Sequence, residues 1–240
     1  MGGNSMKERG MIFNGEMVRA LLDGRKTQTR RPVKFPLFDK NLGCELAGNE
    51  LAGELAAGNY LNSAFGKPGH RIWVRETWAI LGNEDGCCID WEEKLCKADE
   101  RSAARIYRAS CEQRPGNYGL WSIPDDADWK PHTKDYQYEG AWRPSIHMPR
   151  WASRILLEIT DVRVERLNDI SEEEAITEGA PPAGGLLPDY PGTFLTPKGD
   201  FATAKVAFQR LWESIYGEDS WKANPWVWVI EFKRVEGGAE

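Results

Sequence analysis

Gly24-Arg-Lys-Thr-Gln-Thr-Arg-Arg-Pro-Val-Lys34 is the segment on which the reading of this chain turns: eleven residues, five positive charges, no acid. Upstream, Glu16 to Asp23 predicts a short helix, with Met17, Ala20 and Leu21 on one face. Gly24 stands just past its last turn, where a left-handed residue closes a helix. A loop held between a helix stop and a strand is rigidly mounted, and such loops carry function. The plain alternative is a solvated turn, the usual fate of a charge run. Thr27, Gln28 and Thr29 interleave hydrogen-bonding groups with the cations, a mixture that suits a phosphate or a planar polar ligand.

Working outward, residues 39–66 are rich in Gly, Ala, Asn and Leu without periodicity and read as a loop-bearing insertion. Lys67-Pro-Gly69 is a turn signal leading into a strand over Arg71–Trp78. Residues 82–142 form a second irregular stretch with four of the five Cys, a short strand at Ile106-Tyr107, and Trp91, Trp121, Trp129 and Trp142. Ile155, Leu157 and Ile159 alternate, then the apolar register moves to Val162 and Val164. That slip predicts a bulge near Thr160-Asp161. Ser171-Glu-Glu-Glu174 is a capping box for a helix ending before Gly179. A Pro/Gly-rich loop over 180–200 precedes a helix at Phe201–Tyr216, with Phe208, Leu211, Trp212 and Ile215 in step and Gly217 as its stop. Pro225 to Arg234 reads as a closing strand. Strands and helices do not alternate regularly, so the expected class is α+β, a small barrel with flanking helices, rather than a doubly wound sheet.

The chain has 240 residues, 41% hydrophobic, with 31 Lys+Arg against 37 Asp+Glu and a net charge of −6. No apolar run approaches the roughly 18 residues that a membrane span needs. Met1 to Arg9 is polar and lacks the apolar core of a signal peptide. Five irregularly spaced Cys then point to a reducing, cytoplasmic setting rather than a disulfide framework. The acidic total argues against nucleic acid until charge is resolved by position. Asp161 to Glu178 holds seven acids against Arg163 and Arg166, apart from the basic segment. A small ligand without backbone charge suits that pattern better than a long nucleic-acid polymer, whose phosphate track would meet those acids.

Gly24 to Arg31 resembles the signature of the ASCH domain, a relative of the PUA RNA-binding domains. Lys67 to Arg75, Arg154 to Gly179 and Phe208 to Lys233 resemble its further segments, in the same order. The resemblance implies a PUA-like β-barrel with the basic loop facing a cleft. It also implies one domain over 6–240, with the stretches at 39–66 and 82–142 as insertions. Small bacterial members are N4-acetylcytidine amidohydrolases, and their catalytic Lys, Thr and Glu fall on Lys26, Thr29 and Glu178. A family arginine falls on Arg31, here preceded by a second one, Arg30. Larger members with insertions occur in phages and prophages. Alternatives within the resemblance are a non-catalytic RNA- or DNA-binding module, and a ribonuclease using Lys26 and Glu178 as acid and base.

The chemistry must also stand on the residues. A Thr hydroxyl needs a neighbouring base to become a nucleophile. A Lys serves as that base when burial or nearby cations pull its pKa down, and Arg25, Arg30 and Arg31 lie close in sequence. A turn at Thr27-Gln28 would bring Lys26 and Thr29 onto one side. Glu178 ends its helix, where the macrodipole disfavours a carboxylate by about 0.3–1 kcal/mol, a cost that hints at function. Thr27, Arg31 and Arg75 are the candidates for holding the ligand or a developing oxyanion. Trp78 is the candidate stacking platform, the other strand tryptophans reading as packing. Cys87, Cys88, Cys96, Cys111 and His132 share one insertion but lack C-x₂-C spacing, so no metal is expected. No phosphate loop, nucleophile elbow or HExxH occurs, so no cofactor is expected either.

Overall fold

Local signals account for most of the elements in the computed structural model, which describes residues 6–82, 87–92, 94–96, 99–111 and 142–235. In chain order these are β1 (Glu8–Ile12), α1 (Gly15–Leu22), β2 (Gln28–Pro32), α2 (Gly48–Ala56), β3 (Arg71–Arg75), β4 (Trp78–Ile80), β5 (Arg105–Tyr107) and α3 (Arg108–Cys111). There follow β6 (Leu156–Arg166), α4 (Glu172–Thr177), β7 (Phe194–Leu195), β8 (Phe201–Ala202), α5 (Ala204–Tyr216) and β9 (Trp226–Arg234). The architecture is mixed α+β. Among the described residues no helix is long and apolar enough to cross a membrane. Trp121, Trp129 and His132 lie outside the described residues.

The chain divides into two units, one of Met1–Glu8, Ala20–Arg71 and Leu157–Val235, the other of Arg9–Arg19, Ile72–Leu156 and Glu236–Glu240. In the first, β9 is the middle strand, antiparallel to β2 on one side and β6 on the other. Val227, Trp228, Val229, Ile230 and Phe232 are all buried, as a strand covered on both faces requires. β6 slips register between Ile159 and Asp161, leaving Thr160 as the extra residue, at the expected bulge. α4 opens on the expected capping box: Ser171 Oγ accepts from the Glu174 N–H at 3.1 Å, and Glu174 Oε2 accepts from the Ser171 N–H at 3.0 Å. Glu172 reaches over to accept from Thr203 Oγ1 and the Lys205 N–H, capping α5 in turn. α4 and α5 bury Ala175, Ala207, Phe208 and Trp212 with Val227 and Val229 of β9. The helix expected over 201–216 starts at Ala204, because Phe201 and Ala202 pair with β7.

The stretch at 39–66 is more ordered than a loop-bearing insertion. It holds α2, whose Leu51 and Leu55 are buried. It closes on itself through Asp39, which accepts from the Asn41 and Leu42 N–H groups and from Asn62 Nδ2. α2 begins hard against Trp226, since a Cβ on Gly48 would lie 2.3 Å from the indole Nε1.

In the second unit β1 lies beside β3, and β4 pairs with β5. The single strand expected over 71–78 is interrupted at Glu76-Thr77. Glu76 is 2% exposed and holds Arg154 Nε and Nη2 at 2.9 and 3.0 Å. That pairing bends the strand, because a buried carboxylate needs its charge partner. Trp78, Tyr107, Met148 and Ala152 form a small core beside a second one built on Leu81, Ile89 and Ile106.

Gly48→Ala should lower stability by about 1–3 kcal/mol, the usual cost of overpacking against a ring that cannot retreat. Urea unfolding monitored by tryptophan fluorescence would measure it. Gly53→Ala on the same helix, where a Cβ meets open space, should not destabilise.

Candidate functional site

The basic segment is not a solvated loop. Only its two ends are irregular, and Gln28 to Pro32 is strand β2, paired to β9 with Gln28 opposite Glu231 and Arg30 opposite Val229. Lys26, Gln28, Thr29 and Arg30 are all 3% exposed or less. Gly24 turns the chain at φ +72°, and the Lys26 N–H then bonds the Ala20 carbonyl at 3.0 Å. Thr27 ties the segment down on both sides, donating its N–H to Thr177 and accepting from the Phe232 N–H.

Lys26 and Glu178, 152 residues apart, are brought into direct contact. Lys26 Nζ lies 2.9 Å from Glu178 Oε2 and 2.7 Å from the Glu178 carbonyl oxygen, with both side chains shut off from solvent. Burial pulls the Lys26 ammonium below its ordinary pKa. Glu178 opposes that shift, and the charges of Arg31 and Arg30 reinforce it. Glu178 is the residue that closes α4, and two cations answer the unfavourable dipole there. Gly179 follows at φ +93°, and a Cβ on it would lie 3.0 Å from Lys26 Cβ and 2.9 Å from Ala20 Cβ. Only glycine lets the helix end close over the lysine.

The second cation is Arg30, not Arg31. Arg30 Nη1 lies 3.2 Å from Glu178 Oε1, while Nη2 meets Glu165 at 2.5 Å and Glu174 at 3.2 Å. Across β2, β9 and β6 the register aligns Arg30, Val229 and Arg163, so two arginines flank one valine. Carboxylates separate them, with Glu165 and Glu174 each touching both guanidinium groups. Arg163 also holds Glu231, and the hydrogen bond to Glu231 with the charge of Glu165 raises its pKa against the effect of burial. Burial alone would raise the Glu174 carboxyl; the Ser171 N–H and the two arginines hold it below its usual range.

An open cleft of about 310 Å³ lies beside this cluster, lined by Thr27, Gln28, Thr160, Glu174, Glu231 and Phe232, with Glu173 and Thr177 at its edge. The bulge at Thr160 thus forms part of a cleft wall, a common use of bulges.

The remaining candidates separate. Alternation along β2 sets Thr29 on the face opposite Gln28 and Arg30, so the strand replaces the expected turn at Thr27-Gln28. Arg31 shares Thr29's parity, opposite Trp228. Arg75 belongs to the second unit, where it donates to the Ser145 and Ile146 carbonyls and lies over Trp73. Trp78 is 1% exposed, with Trp151 edge-on at 5.5 Å and the Arg143 guanidinium 5.1 Å from its ring centre. Neither face can take a base, which corrects the stacking expectation. Cys111 is buried and its thiol is pushed up to about 12. Among the described residues no three His, Cys, Asp or Glu are grouped to hold a metal ion. Gln28, Arg30, Arg163, Glu165, Glu174 and Glu231 are not candidates on sequence; five of them occupy positions on the paired strands β2, β6 and β9, and Glu174 joins them from α4.

Comparison with protein-family models, curated proteins and solved structures gives no match in any of the three. The resemblance to the ASCH domain therefore rests on the sequence motifs.

Glu178→Ala should destabilise by about 3–5 kcal/mol, the cost of leaving a buried charge without its partner. Lys26→Met should cost less, because Glu178 keeps Arg30. The lowered Lys26 pKa also sets a pH dependence: the unfolded chain holds that proton up to about 10.5, the folded one releases it earlier. Wild-type stability should therefore rise relative to Lys26→Met as pH climbs toward 10.5. Urea titrations of both proteins from neutral to alkaline pH would show a widening or a constant difference.

Proposed function

We propose that this chain is a nucleoside-binding protein of the ASCH type, built on a PUA-like barrel and working in the cytoplasm. Its activity in this reading is an amidohydrolase that removes an N4-acyl group from cytidine or a related nucleoside. One observation carries it. Lys26 and Glu178, the two motif positions farthest apart in sequence, meet in a buried pair at 2.9 Å, and burial lowers the pKa of the lysine. A neutral Lys26 would take the proton of Thr29 as Oγ attacks the acyl carbon, a step that requires Thr29 to come round from the face of β2 opposite Arg30. It would return that proton to the exocyclic nitrogen as the C–N bond breaks. Water then cleaves the acyl-threonine ester and releases the carboxylic acid. Glu178 and Arg30 would fix the lysine, and the adjoining cleft is large enough for a small ligand.

The test is cytidine release from N4-acetylcytidine. Wild type should turn over, and Lys26→Ala and Thr29→Ala should each lose about a hundredfold or more. Circular dichroism should show both variants folded. No turnover by wild type, or unchanged turnover in folded variants, overturns the reading.

A second reading has its own support: Lys26 Nζ is fully enclosed and held by two acceptors of Glu178, as a structural lysine would be. That reading makes the chain a non-catalytic binder of RNA or DNA. Affinity for a single strand should then fall with salt, with a log–log slope of about −0.7 per phosphate contact.

A further inference from the structure

The cleft beside the buried cluster carries a signal that the acylcytidine reading does not use. Gln28 forms part of its wall and is 3% exposed, yet its side-chain Nε2 has no hydrogen-bond partner. Oε1 faces the Arg163 Nη2 donor at 3.4 Å, which leaves Nε2 as the unpaired end of the amide. A buried amide N–H left unpaired is costly, so a site that keeps one calls for an explanation. The partner it lacks is an acceptor, such as a carbonyl oxygen.

Around that donor the cleft is acidic. Glu173, Glu174 and Glu231 line it, and Arg163 is the cation joined to the last two. Counting the whole cluster, Lys26, Arg30 and Arg163 face Asp161, Glu165, Glu174, Glu178 and Glu231. Glu173 adds one more negative charge at the cleft edge. An anion would meet net repulsion there, whereas N–H donors and positive charge would not. Phe232 supplies an apolar surface, and Thr27 and Thr160 supply hydroxyls.

We propose that this cleft binds a small amine-bearing carbonyl compound, of the amino-acid-amide class. Its ammonium group sits among Glu173, Glu174 and Glu231, its carbonyl oxygen accepts from Gln28 Nε2, and its apolar stem lies on Phe232. The acylcytidine reading would fill the same cleft, but this binding needs no hydrolysis by Lys26 and Thr29, so it stands or falls by binding alone.

Three probes of one shape separate the contributions: leucinamide carries both groups, isoamylamine only the ammonium, and isocaproamide only the carbonyl. Titrations followed by ¹H–¹⁵N NMR should show leucinamide shifting the Gln28 side-chain amide signals and binding about tenfold tighter than isoamylamine, the effect of satisfying one buried donor. Gln28→Met, which keeps length and removes the unpaired donor, should abolish that advantage while leaving isoamylamine binding intact. Glu173→Gln, an exposed and structurally mild change, should weaken leucinamide and isoamylamine together. The proposal is overturned if isocaproamide binds as well as leucinamide, if Gln28 signals do not move, or if the leucinamide advantage survives in Gln28→Met.

Discussion

Much around the candidate site follows from one constraint: the Glu178 carboxylate must bridge two cations that the fold has taken out of water. Lys26 and Arg30 lose their hydration when β2 docks on β9, and a buried ion recovers that loss only through close partners. Glu178 meets one cation with each oxygen and adds its backbone carbonyl to Lys26. It can do so because α4 ends there and Gly179 turns away in a conformation that leaves room for the lysine stem. The capping box at the other end of α4 fixes where that helix starts, and so where its last residue arrives. Arrangements of this kind contribute little net stability but penalise any alternative that separates the charges, which gives them a role in specifying structure.

The parts of the fold legible in the sequence are those set by local chemistry. α1 and α5 announce themselves by apolar spacing and by the stops at Gly24 and Gly217, α4 by its capping box, and the β6 bulge shows as apolar residues changing parity. What the sequence hides depends on distant partners. Arg71 to Trp78 reads as one strand until Arg154 draws Glu76 inward. α2 has only Leu51 and Leu55 to mark its buried face, too few for a periodic signal. No local signal joins Lys26 to Glu178, and only the resemblance to the ASCH motif sets the two residues side by side before the structure does. The motif points to Arg31 rather than Arg30, since choosing between neighbours requires knowing that β2 is a strand and which face meets α4. Trp78 misleads for a similar reason: an aromatic at a strand end looks available until its own unit packs around it.

The charge balance acquires a different meaning with the structure in hand. The five cations of residues 24–34 suggested an exposed basic surface. Lys26 and Arg30 are instead interior charges consumed by carboxylates, so what reaches the cleft is mostly acid. Net charge and local potential thus point the same way here, although the basic segment alone pointed the other.

The acidic run Glu172-Glu-Glu174 looks like a solubilising stretch in which one carboxylate could stand for another. Each has its own assignment: Glu172 caps the next helix, Glu173 borders the cleft, and Glu174 caps its own helix while bridging two arginines. Moving any one acid by a single position would vacate one duty without filling another. Glutamate at these three positions is therefore three separate requirements, and a Glu→Gln change has a different consequence at each.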